Sequence, residues 1–211
     1  GISRPTKDVD VFAKAGDCLR LLGHFKEHGF DIQMVDERSL ARIVRGSLFV
    51  EIIFNMPTAS VHVTDEWFER APEAVLFDTR VRLVPATQLV WSKIFVQDRY
   101  RYGGADVAHM ILKRHWEIDW RQLLSHMEMY WEVLLIAVLT FRFIYPSERD
   151  LVPRWLFDEL TERLQAQADM PPPEMKVSRG RTFSPRDYLI DVDEWGFSEA
   201  VGNLEEDYET Q

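Results

Sequence analysis

The chain opens with Gly1–Phe12, GISRPTKDVDVF, and the reading of this stretch decides the first half of the fold. Acid and apolar residues alternate through Asp8, Val9, Asp10, Val11 and Phe12, which is the period of a strand. Residues two apart on a strand share a face, so Asp8 and Asp10 project together. Like charges that close are costly unless something neutralises them. A hard divalent cation such as Mg²⁺, which takes carboxylate oxygens, is one solution. A solvated strand edge, with both acids in water, is the other.

A third acid bears on the choice. Glu51 sits inside Leu48–Phe54, LFVEIIF. On a strand, Leu48, Val50, Ile52 and Phe54 line one face, and Phe49, Glu51 and Ile53 the other. A charge in so apolar a strand needs a partner or a metal. Beside the first strand, Glu51 would join the aspartates, helping to hold a second metal or to deprotonate an attacking hydroxyl. Alternatively it faces solvent or pairs with an arginine such as Arg45.

Farther along, GDCLRLLGHFKEHGF reads as a helix capped by Asp17, with Leu19, Leu22 and Phe25 on its apolar face and Gly29 at its end. ASVHVT and TRVRLV read as short strands, and TDEWFERA as a short capped helix. Pro85 opens the helix PATQLVWSKIFVQDRY. Three further helices follow: GADVAHMILKRH, DWRQLLSHMEMYWEVLLIAVLTFRFIY and DLVPRWLFDELTERLQAQA. DMPPPEMKVSRGRTFSP reads as a linker to an acidic tail, whose YLIDVDEWGF has enough apolar residues to dock. Mixed strands and helices followed by helices alone indicate an α+β class. The expected divisions are 1–84 as a catalytic core, 85–168 as a helical region, and 169–211 as linker and tail.

Composition supports a folded domain: 211 residues, 46% apolar, with seven tryptophans and thirteen phenylalanines. The net charge of −10 argues against a general nucleic-acid coat protein, though a local basic patch is compatible with it. The single cysteine, Cys18, cannot form an internal disulfide; it suits a reducing compartment and reads as a small core residue. The apolar run Val133–Phe141 is too short for a bilayer and reads as a buried helix. With no signal peptide visible, the expected location is the cytoplasm, with no membrane partner. His109, His115 and His126 read as packing or surface residues, and KRHWEIDWR as a solvated helix end.

The opening motif resembles the signature of the nucleotidyltransferase superfamily with the DNA polymerase β-type fold, and within it the small AbiEii-like group of bacteria and archaea. Gly1, Arg4, Thr6, Asp8, Val9, Asp10 and Val11 match its pattern G-x-x-R-x-T-x-D-hydrophobic-D-hydrophobic. A second block, VPATQLVWSKIFVQDRYRYGGADVAHMI, is similar to that group's helix bearing a lysine, then an arginine, then an aspartate opening the next helix: Lys93, Arg99 and Asp106. The likeness spans about residues 1–112. It implies a mixed sheet with flanking helices followed by a helical C-terminal part.

The resemblance also implies a chemistry: transfer of a nucleoside monophosphate from a triphosphate, ATP among the candidates, to a hydroxyl of tRNA, protein or a small molecule. Mg²⁺ or Mn²⁺ would be held by Asp8, Asp10 and Glu51. Lys93 would contact phosphates, with Ser3, Arg4 and Arg99 assisting, and Asp106 would position the lysine or the acceptor. A toxin paired with an antitoxin or other protein partner fits the same motifs. The family's glycine-containing phosphate turn lies about a dozen residues before the aspartates, which puts it upstream of Gly1 and leaves the core N-terminally incomplete. A catalytically degenerate binding or scaffold subunit is the competing expectation. A glycosyltransferase using the DxD pair is a weaker one, without support from the Lys93–Asp106 block.

Overall fold

The computed structural model describes residues 9–56 and 61–200. The chain divides into two compact units, Gly1–Val84 and Pro85–Gln211. The class is α+β, with a small mixed sheet in the first unit and mainly helices in the second.

In the first unit, β1 (Val9–Phe12) leads into α1 (Ala15–Glu27), followed by β2 (Asp31–Asp36), β3 (Leu40–Arg45) and β4 (Leu48–Ile53). They form a four-stranded sheet in the order β1-β4-β3-β2. β2, β3 and β4 are an antiparallel meander, and β1 adds parallel to β4. The β3–β4 turn needs a residue in the left-handed region, and Gly46 supplies it with φ +63. Three short elements and a hairpin follow: β5 (Asn55–Met56) paired with β6 (Val61–His62), α2 (Asp65–Glu69), and β7 (Glu73–Leu76) paired with β8 (Thr79–Arg82).

Alternation along the strands divides the sheet chemically. Ala41, Ile43 and Ile52 pack with Cys18 and Leu22 of α1 in one buried cluster. Their neighbours Arg42 and Glu51 point to the other face. Helix α1 stops where expected, at Gly29, with φ +79. The Phe30 amide reaches back to the Phe25 carbonyl at 3.1 Å and the Gly29 amide to that of Lys26 at 3.1 Å, a Schellman closure. The rings of Phe25 and Phe30 meet edge-on at 5.4 Å, the apolar contact that accompanies this cap.

Two details of α1 differ from expectation. Lys14, not Asp17, holds the N-cap position; Asp17 lies in the first turn, ion-paired with Arg20 at 2.7 Å. Leu19 is 78% exposed, because the inward face runs through Cys18, Leu21, Leu22 and Phe25. Burial raises the pKa of the Cys18 thiol by desolvation.

The second unit contains α3 (Ala86–Ile94), α4 (Gly104–Arg114), α5 (Trp120–His126), α6 (Trp131–Ile144) and α7 (Arg154–Ala168). α4 packs on α3 and α6, α5 on α3, and α7 on α6. The single helix expected over Asp119–Tyr145 is broken by a 3-10 turn at Glu128–Tyr130. α6 is buried along Val133, Leu134, Leu135, Val138 and Phe141, but Ile136, Leu139 and Phe143 are exposed. The stretches expected as linker and acidic tail are partly folded together: β9 (Val177–Ser178) in the former pairs with β10 (Ser198–Glu199) in the latter, with α8 (Leu189–Asp193) between them. Arg181, Thr182 and Ser184 there are buried. Among the described residues, no helix is long and apolar enough to cross a membrane.

Leu22→Ala should lower unfolding free energy by roughly 2–5 kcal/mol, as expected for truncating a buried leucine. Chemical denaturation would measure this. Mass spectrometry should show Cys18 alkylated only after unfolding in the parent protein, and faster under native conditions in the variant.

Candidate functional site

The candidate residues fall into two groups, each within its own unit. In the first unit, strand register sets a polar row across the sheet. Asp10 pairs with Glu51 between β1 and β4, Glu51 with Arg42 between β4 and β3, and Arg42 with Gln33 between β3 and β2. Directly paired residues share a face, so the two acids stand side by side, with a guanidinium next to them.

Glu51 is 5% exposed, and its burial needs compensation. Arg42 provides it, donating from Nε at 2.9 Å and from Nη2 at 2.7 Å, both to Oε1. The Arg42 guanidinium also lies 4.9 Å from the centre of the Phe49 ring. The arginine partner is therefore Arg42 rather than Arg45, whose guanidinium covers the Phe30 ring at 5.3 Å. Asp10 is exposed.

Two residues beyond Asp10, Phe12 packs on Trp67 of α2 with ring centres 5.2 Å apart. The Lys14 ammonium bonds Asp65 at the start of α2, at 2.7 Å. That carboxylate raises the lysine's pKa. Together these contacts tie the end of β1 to α2. Ser3, Arg4 and Asp8 lie outside the described residues. Among the described residues, no group of three His, Cys, Asp or Glu side chains is arranged to hold a metal.

In the second unit, Lys93 at the end of α3 and Asp106 in the first turn of α4 form an ion pair at 3.7 Å. Each side chain is about a quarter exposed, at 28% and 27%. A compact loop sets this approach. Gln97 bridges to Tyr102, and the Asp98 carboxylate accepts the Tyr100 and Arg101 amides at 2.7 and 2.6 Å. The Gly103 amide then bonds the Val96 carbonyl at 2.6 Å. A Cβ at Gly103 would stand 2.3 Å from the carbonyl oxygen of Lys93, so only glycine lets the two helices approach here. At Gly104 a Cβ would meet the end of the exposed Tyr102 side chain at 2.2 Å, a clash that rotation of the ring can relieve. Arg99 pairs with Asp187 at 3.4 Å and remains 72% exposed.

The structure thus brings Asp10 to Glu51 and Lys93 to Asp106. Sequence reasoning missed three arrangements. Arg42 was legible as the basic residue on the polar face of LARIVR, opposite Glu51. The pair Arg181–Glu199, at 2.6 Å with both side chains largely buried, had no signal within the expected linker. His24 and His28 were legible as a pair at helical spacing in HFKEH. Comparison with protein-family models, with curated proteins and with solved structures finds no match.

Arg42→Ala should cost about 1–3 kcal/mol, because it leaves a buried carboxylate without its donor. Thermal and denaturant unfolding would read it, and Arg42→Ala/Glu51→Leu should regain part of the loss. Gly103→Ala should lower the melting temperature more than Gly16→Ala, whose added Cβ meets nothing within 4 Å.

Proposed function

We propose that this protein is a metal-dependent nucleotidyltransferase, moving a nucleoside monophosphate from a triphosphate to a hydroxyl acceptor. The observation that carries the reading is the register of Asp10 directly beside Glu51 on adjacent parallel strands. This adjacency supports the part of the reading that rests on Asp10 and Glu51, because two carboxylates on one sheet face are hard oxygen donors suited to Mg²⁺ or Mn²⁺. Arg42 directs both of its hydrogen bonds to Oε1 of Glu51, so the second carboxylate oxygen is the one proposed to meet a cation.

When bound, the divalent cation supplies Lewis-acid charge stabilisation at the phosphates. In the proposed reaction the acceptor oxygen bonds to the α-phosphorus, and the bond from that phosphorus to the bridging oxygen breaks. Pyrophosphate leaves with the electron pair. The acceptor's proton passes to a carboxylate, with Glu51 the candidate base. By the motif resemblance, Lys93, ion-paired with Asp106 within the second unit, would contact the phosphates.

One observation favours a second reading, a catalytically silent subunit of the same fold that binds a partner. Glu51 already has a counter-ion in Arg42, so its burial has a structural explanation without a metal. The two readings separate on incubation with each labelled NTP, Mg²⁺ or Mn²⁺, and total RNA, total protein or neither. Transfer of label is expected, with Asp10→Asn reducing the rate by roughly 100-fold or more while leaving the melting temperature unchanged. Lack of transfer with every NTP, or full activity in Asp10→Asn, would overturn the enzyme reading.

A further inference from the structure

The geometry points to a second cation site, formed by two imidazoles at the C-terminal end of α1, that takes a borderline divalent ion such as Zn²⁺. His24 lies in the last turn of α1 and His28, four residues on, is its C-cap, so the two side chains fall close together. Both are exposed, and their ring centres are 4.3 Å apart. Imidazole nitrogen suits Zn²⁺, Cu²⁺ and Ni²⁺, whereas Mg²⁺ prefers carboxylate and phosphate oxygen.

The ring of His28 is held by one hydrogen bond. Its Nδ1 lies 2.8 Å from the His24 carbonyl oxygen. A carbonyl only accepts, so Nδ1 carries the proton and donates. In the neutral ring, the lone pair is then on Nε2. Metal-bound histidines typically use this device: one ring N–H held by a carbonyl, the other nitrogen on the metal. His24 is steadied differently, with its ring edge-on to Phe25 at 5.8 Å.

The surroundings leave the pair accessible. Arg20, one turn before His24, is turned to Asp17 through a 2.7 Å ion pair. Among the described residues no third His, Cys, Asp or Glu completes the group, so water fills the remaining positions on the ion. The helix end is a useful place for such a link. The site spans the last turn before the Gly29 closure, so an ion bridging the two rings staples the turn that would otherwise fray first. Binding to the folded form alone raises stability in step with ion concentration.

The test is calorimetric titration of Zn²⁺ into the full chain in excess Mg²⁺, which occupies carboxylate sites. The parent protein should bind Zn²⁺ and melt several degrees higher with it. His24→Ala and His28→Asn, the latter keeping a donor for the His24 carbonyl, should each weaken binding by about tenfold or more and abolish the thermal shift. Both variants should melt like the parent without metal, and His62→Ala should bind like the parent. Parent-like binding in either His24→Ala or His28→Asn, or no Zn²⁺ binding by the parent, would overturn the two-imidazole site.

Discussion

The first unit is organised around one buried carboxylate. Glu51 lies mid-strand, flanked by Val50 and Ile52, and is 5% exposed. A carboxylate there is affordable only because Arg42 faces it directly across the β3–β4 ladder and donates twice. The pair also fixes register. Sliding β3 by one residue would put Arg42 among the apolar side chains of α1 and leave Glu51 facing Ala41 or Ile43. The polar row and the apolar core are therefore two consequences of the same alignment. The carboxylate proposed for chemistry is the one that specifies the sheet.

Much of this was legible in the chain. β1 shows alternation and β4 a near-continuous apolar run, and Gly29 marks the end of α1 because only a residue tolerant of positive φ closes a helix this way. β2 was not legible: Asp31–Asp36 is a largely exposed edge strand whose polar residues dilute any apolar signal. The start of α1 was misread because Asp17 has the chemistry of a cap, yet Lys14 occupies the position without a side-chain bond. Local preference lost there to a tertiary contact, the bond from Lys14 to Asp65.

The second unit shows the same limit. Nothing in SHMEMYWEV announces a break, since no glycine or proline interrupts it. The 3-10 turn at Glu128–Tyr130 is set by long-range partners: Arg163 reaches Glu128 at 3.0 Å, and the Phe95 ring meets Tyr130 edge-on. Likewise the buried Arg181–Glu199 pair joins residues too far apart for any local pattern to reveal. The ion pair of Lys93 with Asp106 matches one of the two roles the motif resemblance implied for Asp106. The Arg42 clamp needed the register of three strands.

The parallel placement of β1 has a consequence for the order of assembly. The meander β2-β3-β4 is built from neighbours in sequence, so it closes small loops and forms early. β1 pairs Val9 with Val50 and must wait until α1 and the whole meander exist. The Arg42–Glu51 contact lies within the local meander, while the meeting of Asp10 with Glu51 depends on a long-range strand pairing. Asp10 and Glu51 therefore become neighbours only when β1 is docked on β4.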